Sequence, residues 1–382
     1  MNWGYIVLAY FSLFALGLGD NSRGPLFPEI LKVFSVSDSQ GSIYFAVSSL
    51  FGFAGSFSVR YFLFKFNRVS TLQISLFLMS VGLFGMAFAK EYYQLLLASA
   101  VFGFSMGVVG VVQNILVTVG SPPLRRQRML SGLHSFYGLS SLLAPLFVAG
   151  VISLGGSWRS VFMAISAVPV ALFIGAFFNR RGQSVSRIRP SPTENSNPVG
   201  AGSTWSQYYL GLALGFYALA EMMISTRLAL YLRREYEMDL AASSLYLTGF
   251  FVGLLIGRLI FALIPVRRAL LRTLLGALIA SAACIILGLW VSPLFFALTG
   301  FCMGPFYPLA VAYVYQHFSD TIDNAISSCL TIQAFLTVLM HAGVGYLTEV
   351  YGISKALWVG PVALILAFLV LNSFERVFKK RG

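Results

Sequence analysis

Glu221 is the residue in this chain whose placement most needs an explanation. It stands in the run Ala218-Leu219-Ala220-Glu221-Met222-Met223. An ionisable side chain within an apolar span costs about 2.5–3.5 kcal/mol on membrane-insertion scales, so it requires a partner, water or a task. A carboxyl there can take up and release a proton, accept hydrogen bonds from solute hydroxyls, or bind sodium. A structural ion pair or helix–helix hydrogen bond would account for it as well. Asp20 is the second such acid, with Asn21 beside it and Arg23 three residues on. That spacing puts Arg23 on the same helical face as Asp20. Gln113 and Asn114 offer donors and acceptors without charge, which is what a polyol needs. Of three histidines, His134 and His341 lie in apolar runs. Histidine titrates near neutrality, so each is a candidate proton relay or a satisfied packing residue. Tyr137 lies one turn from His134, and Gln333 lies two turns before His341. Tyr44, Tyr246, Tyr307, Tyr313 and Gln316 are candidate cavity residues, since aromatic faces stack on sugar rings while hydroxyls hydrogen-bond.

These residues give an expected site. Solute contacts fall to Asp20, Asn21, Tyr44, Gln113, Asn114, His134, Tyr137, Glu221, Tyr246, Tyr307 and Gln333. Proton coupling falls to Glu221, Asp20 and His341. No cofactor is expected, and no metal. Cys284, Cys302 and Cys329 all stand in apolar runs, with no Cys-x-x-Cys pair. There is no His-Glu-x-x-His, no nucleophile elbow and no phosphate-binding Gly-x-x-x-x-Gly-Lys loop. The chain is therefore expected to be neither an enzyme nor an ATP-driven pump.

The elements that position such groups follow from composition. The 382 residues are 58% hydrophobic and 10% charged, with mean hydropathy +0.81. Soluble domains average about 45–50% apolar and about 25% charged. This excludes a soluble enzyme, a nucleic-acid module and a disordered scaffold, and leaves an all-α polytopic membrane protein. A span needs about 20 apolar residues. Twelve such runs are present, at 3–30, 41–62, 69–89, 92–119, 129–154, 158–178, 205–232, 240–264, 270–291, 293–318, 325–350 and 356–374. Pro25 and Pro28 should bend the first. Gly304-Pro305 and Pro308 should break or bend the tenth. The runs are continuous, without the alternation of a β-barrel strand.

The twelve divide into two six-helix bundles, 1–178 and 205–382, joined by a Pro-, Ser- and Gly-rich linker at 179–204 expected on the cytoplasmic side. With the N-terminus in the cytoplasm, 18 of the 26 basic residues fall on the cytoplasmic side, Arg258 among them. The positive-inside rule then places both termini in the cytoplasm. It also accounts for most of the +13 net charge without nucleic acid. Met1-Asn2-Trp3 lacks the basic start of a cleavable signal. The expected setting is the cell inner membrane, with a lipid-surrounded monomer.

The halves repeat. Gly103-Phe104-Ser105-Met106-Gly107 returns as Gly300-Phe301-Cys302-Met303-Gly304, 197 residues later. Ser42-Ile43-Tyr44 returns as Ser244-Leu245-Tyr246 at 202, and Asp20 as Glu221 at 201. Two parallel six-helix repeats are the layout of the major facilitator superfamily, whose physical use is alternating access. Small-residue pairs such as Gly103/Gly107 and Gly300/Gly304 let helix backbones approach.

Within that layout the residues resemble the fucose permease and glucose–galactose porter branch of the superfamily. Phe216-Tyr217-Ala218-Leu219-Ala220-Glu221, followed by Ser225 and Leu230-Tyr231-Leu232, is similar to its seventh-span stretch. Gly253 through Gly257-Arg258-Leu259 and Met303-Gly304-Pro305-Phe306-Tyr307-Pro308 resemble its eighth- and tenth-span motifs. Asn114 and Gly120 resemble the end of its fourth span, and Asp20 falls near its first-span acid. The chain departs from it at Gly110, where that branch carries an acid, and in lacking the superfamily's Asp-Arg-x-Gly-Arg loop after the second span. The resemblance implies secondary transport, with Glu221 and Asp20 as solute or proton groups. The expected function is proton- or sodium-coupled symport of a small hydrophilic solute, a sugar in the first place. The alternative is a proton-antiport exporter of drugs or metabolites, to which a cavity lined by Met222, Met223, Met303 and Met340 is suited.

Overall fold

The chain folds as apolar helices throughout; the computed structural model describes residues 1–178, 205–263, 270–318 and 322–378. The expected linker at 179–204 lies outside the described residues, as do Arg267, Arg268 and 379–382. The helices are α1 (Trp3–Phe34), α2 (Asp38–Lys65), α3 (Arg68–Phe88), α4 (Tyr92–Gly120), α5 (Pro123–Ser153) and α6 (Trp158–Phe178). The second set is α7 (Trp205–Glu235), α8 (Leu240–Leu263), α9 (Leu270–Trp290), α10 (Phe295–Met303), α11 (Phe306–His317), α12 (Ile322–Tyr351), α13 (Ile353–Ala356) and α14 (Val359–Phe378). Among the described residues there is no strand. With α10–α11 and α13–α14 each counted as one crossing, twelve segments are long and apolar enough to span a membrane.

Local chemistry sets the ends. Asn2 caps α1 by accepting from the amide of Tyr5, and Asn67 caps α3 by accepting from that of Ser70. Each supplies one acceptor to amides that the first turn leaves unpaired. α5 begins six residues before the apolar run expected there, because Pro123 can occupy a first helical turn whose amides need no partner. The tenth span breaks as expected at Gly304-Pro305. The first span does not break, and α1 continues through Pro25 and Pro28.

Contacts group the chain into two units, Met1–Val36 with Ile43–Pro192, and Ser37–Ser42 with Thr193–Gly382. In the first, α1 packs on α5, and α3 packs on α4 and α6. In the second, α7 packs on α12, and α9 packs on α10 and α14. These are the same pairings, shifted by six spans.

The glycines show the repeat at atomic scale. A Cβ on Gly103 would strike the carbonyl of Ser48, and one on Gly300 would strike that of Phe250. Gly107 meets Gly52 in the same way, and Gly304 meets Leu254. Gly55 meets the carbonyl of Phe104, and Gly257 that of Phe301. Every partner in the second unit stands 197 or 202 residues beyond its counterpart in the first. Helix backbones pressed together on glycine gain dispersion contacts that lipid cannot offer.

The second unit holds its Ser37–Ser42 segment by several bonds. Arg234 binds Asp38 through both nitrogens at 2.8 and 2.9 Å. Arg227, fully buried, donates to Ser42 Oγ at 2.9 Å. Glu349 accepts from Ser37 Oγ at 2.7 Å and from the Ser39 amide at 3.0 Å.

Candidate functional site

Each intramembrane acid singled out above, Asp20 and Glu221, pairs with an arginine, and the two pairs differ in how they are held. In the first unit Asp20 pairs with Arg23, one turn on in α1. The side chains are 9% and 4% exposed. Tyr137 on α5 donates to the second carboxylate oxygen at 3.3 Å. The Arg23 guanidinium lies 5.6, 5.3 and 5.2 Å from the ring centres of Tyr44, Phe45 and Phe102. Those distances allow a cation–π attraction to three faces at once. Asn21 donates to Ser141 Oγ at 3.0 Å and to its own helix at Gly17 at 2.9 Å. The structure thus brings Asp20, Asn21, Tyr137 and Tyr44 together, with Arg23 at the centre. Tyr44 is fully buried and donates to the sulfur of Met86 at 3.3 Å, so its ring serves the arginine and has no open face for a solute.

In the second unit Glu221 on α7 meets Arg258 on α8 at 3.2 Å. Here the side chains are 21% and 29% exposed. Tyr217, one turn before Glu221, donates to the carbonyl of Met303 at 2.8 Å and stacks on Phe306 with ring centres 4.2 Å apart. Met303 is the last residue of α10, where a helix leaves carbonyls unsatisfied. Tyr217 therefore ties α7 to the break in the tenth span. Tyr307, just beyond the break on α11, is half-buried.

The remaining expected residues lie on α4, α5, α8 and α12. Gln113 is buried and Asn114 half-buried, and both turn back to the carbonyl of Gly110 on their own helix, at 3.5 and 2.7 Å. His134 is exposed on α5. Tyr246 is half-buried on α8. His341 is buried on α12. Gln333 on the same helix is half-buried, and its Oε1 is buried with no hydrogen-bond partner. A cavity of about 610 Å³ at the start of α1 and the end of α4 holds none of these residues.

Sequence reasoning missed Arg258, counted as a cytoplasmic charge, and the structural role of Tyr217. Without Arg258 the cytoplasmic tally falls from 18 to 17 of 26, and the asymmetry stands. The signal for Arg258 was the repeat itself. Gly107 approaches the amide of Ser56, and Gly304 approaches that of Arg258 at the matching position.

Among the described residues no group of three or more His, Cys, Asp and Glu could hold a metal. The sequence model of the Major Facilitator Superfamily matches residues 9–321. The chain is 20% identical over 296 residues to the TsgA homolog of Buchnera aphidicola, covering 73% of this chain and 74% of that one. It is 23% identical over 280 residues to the glucose/mannose transporter GlcP of Bacillus subtilis, covering 69% and 67%. Its fold matches the crystal structure of a bacterial homolog of the human lysosomal transporter Spinster, inward-facing and unoccupied. There the TM-score is 0.78 at 16% identity, over 99% of this chain and 98% of that one.

Proposed function

Because the chain belongs to the major facilitator superfamily, we propose that it is a proton- or cation-coupled symporter of a small hydrophilic solute, a sugar in the first place, working by alternating access. That it is a transporter and not an enzyme follows from the family.

The observation that carries the coupling is the open Glu221–Arg258 pair. Both side chains keep a fifth or more of their surface exposed, so a proton can reach the carboxylate. Ionised, Glu221 neutralises Arg258. Protonated, it releases Arg258 to another acceptor, such as a solute hydroxyl. The Asp20–Arg23 pair is sealed and its carboxylate is fully engaged, which suits a fixed scaffold for Asn21 and Tyr137 rather than a proton carrier. His341 stays a proton candidate by its burial on α12. The neutral donors Asn21, Tyr137 and Ser141 in one cluster support a polyhydroxylated solute, as does the likeness to GlcP. The positive-inside asymmetry supports cytoplasmic termini in a cell inner membrane, and a monomer suffices for this scheme.

The test is uptake in proteoliposomes with an imposed pH or sodium gradient and a panel of sugars. Sugar accumulation driven by inward protons or sodium is the expected result. Accumulation of drugs or metabolites against outward proton flow would replace symport with export. No flux of any solute would overturn both.

A further inference from the structure

We propose that Cys284 and Cys302 are a redox-formable pair, whose disulfide staples α9 to α10 immediately before the break in the tenth span. Their sulfurs lie 3.9 Å apart, one on each helix. A disulfide holds its sulfurs about 2.05 Å apart, so the thiols need to close by about 1.9 Å. Side-chain rotation and a slight helix shift supply that distance. Cys284 is buried and Cys302 is half-buried, so a small oxidant meets Cys302 first. Cys329, the third free thiol, lies on α12 and contacts the backbone of Gln207 instead.

The repeat sets this pair apart from ordinary packing. Cys302 occupies the position that Ser105 holds in the first unit. Ser105 donates to the carbonyl of Phe102 on its own helix at 2.6 Å and makes no bridge to a neighbour. The second unit alone carries a thiol there, and α9 brings another thiol to meet it. Cys302 is two residues before Gly304, where α10 ends. A covalent tie at that point fixes the upstream arm of the break to α9.

The chemistry balances with a peroxide as oxidant. The Cys302 thiol gives up its proton, its sulfur attacks a peroxide oxygen, the O–O bond breaks, and the departing hydroxide takes up that proton, leaving a sulfenic acid and water. The Cys284 sulfur then attacks the sulfenic sulfur, forming the S–S bond and releasing a second water. Two thiols are oxidised and one peroxide is reduced.

The experiment uses the purified full chain in detergent, treated with hydrogen peroxide and then with dithiothreitol. Peptide mass spectrometry should find a Cys284–Cys302 cross-link. Maleimide labelling should fall from three thiols to one and recover on reduction. Cys329→Ser should keep the cross-link, and Cys284→Ser and Cys302→Ser should each abolish it. Amide hydrogen exchange over 300–306 should slow at least threefold in the oxidised protein and return on reduction. That last readout compares two states of the same wild-type chain, so a variant that fails to fold does not affect it. Three free thiols after peroxide, a bond to Cys329, or irreversible oxidation of Cys302 without a bond would overturn the pairing. A cross-link that leaves exchange over 300–306 unchanged would overturn the staple.

Discussion

Glu221 and Arg258 face each other across α7 and α8 at 3.2 Å, each with a fifth or more of its side chain open. Glu221 has a repeat partner in Asp20, 201 residues earlier, but Arg258 has none, since Ser56 holds the matching place. The acids follow the symmetry of the fold. Their arginines do not, and this difference separates a sealed pair from an open one.

Glu221→Gln should reduce gradient-driven accumulation at least tenfold while leaving counterflow exchange of the same solute measurable. The amide keeps the shape and loses the titration. Accumulation at the wild-type level would remove Glu221 from the coupling route.

Asp20→Asn should behave in the opposite sense. Removing one member of a buried pair leaves an uncompensated charge and costs about 3 kcal/mol or more. Arg23 would then keep its aromatic neighbours and the backbone carbonyl of residue 20. Denaturant titration in mixed micelles should show that loss, and Asp20→Asn with Arg23→Gln should recover much of it. A single variant as stable as wild type would mean that the pair is not sealed in the membrane.

Tyr137→Phe removes a hydroxyl that bonds Asp20 and lies 3.5 Å from the Asn21 amide. A hydrogen bond to a charged group contributes about 1.5–3 kcal/mol, so the transport KM should rise about tenfold if this cluster faces solute. The pH profile of accumulation should not move. A shifted profile with an unchanged KM would assign Tyr137 to proton movement.

Gly103→Val and Gly300→Val should be damaging to a similar degree, each by about 1–3 kcal/mol, because each forces a methyl-bearing carbon into a neighbouring carbonyl. Thermal unfolding of the two variants measures this directly. A large effect in one half and none in the other would break the equivalence of the two seams.

Twelve apolar runs were legible because hydropathy over a bilayer's width needs no partner to be read. The break at Gly304-Pro305 was legible from proline's missing donor. The continuity of α1 through Pro25 and Pro28 was legible too, as the single run 3–30, while how far a proline bends a helix depends on what surrounds it. Glu221 and Asp20 stood out as charges in apolar text. Arg258 did not, because an arginine near the end of a run looks like a loop charge until the opposite helix is known. The packing of Tyr44 was hidden for a related reason. Its ring is consumed by Arg23, and no spacing in the sequence announces that contact.

The hydroxyl of Tyr217 grips the end of α10 while Glu221, a turn away on the same helix, holds Arg258, whose own backbone abuts Gly304. One joint thus carries both the Glu221–Arg258 pair and the break in the tenth span. On the proposed coupling, neutralising the acid would loosen the arginine at the place where the tenth span is already severed, so a chemical event would become a mechanical one over the length of a single side chain.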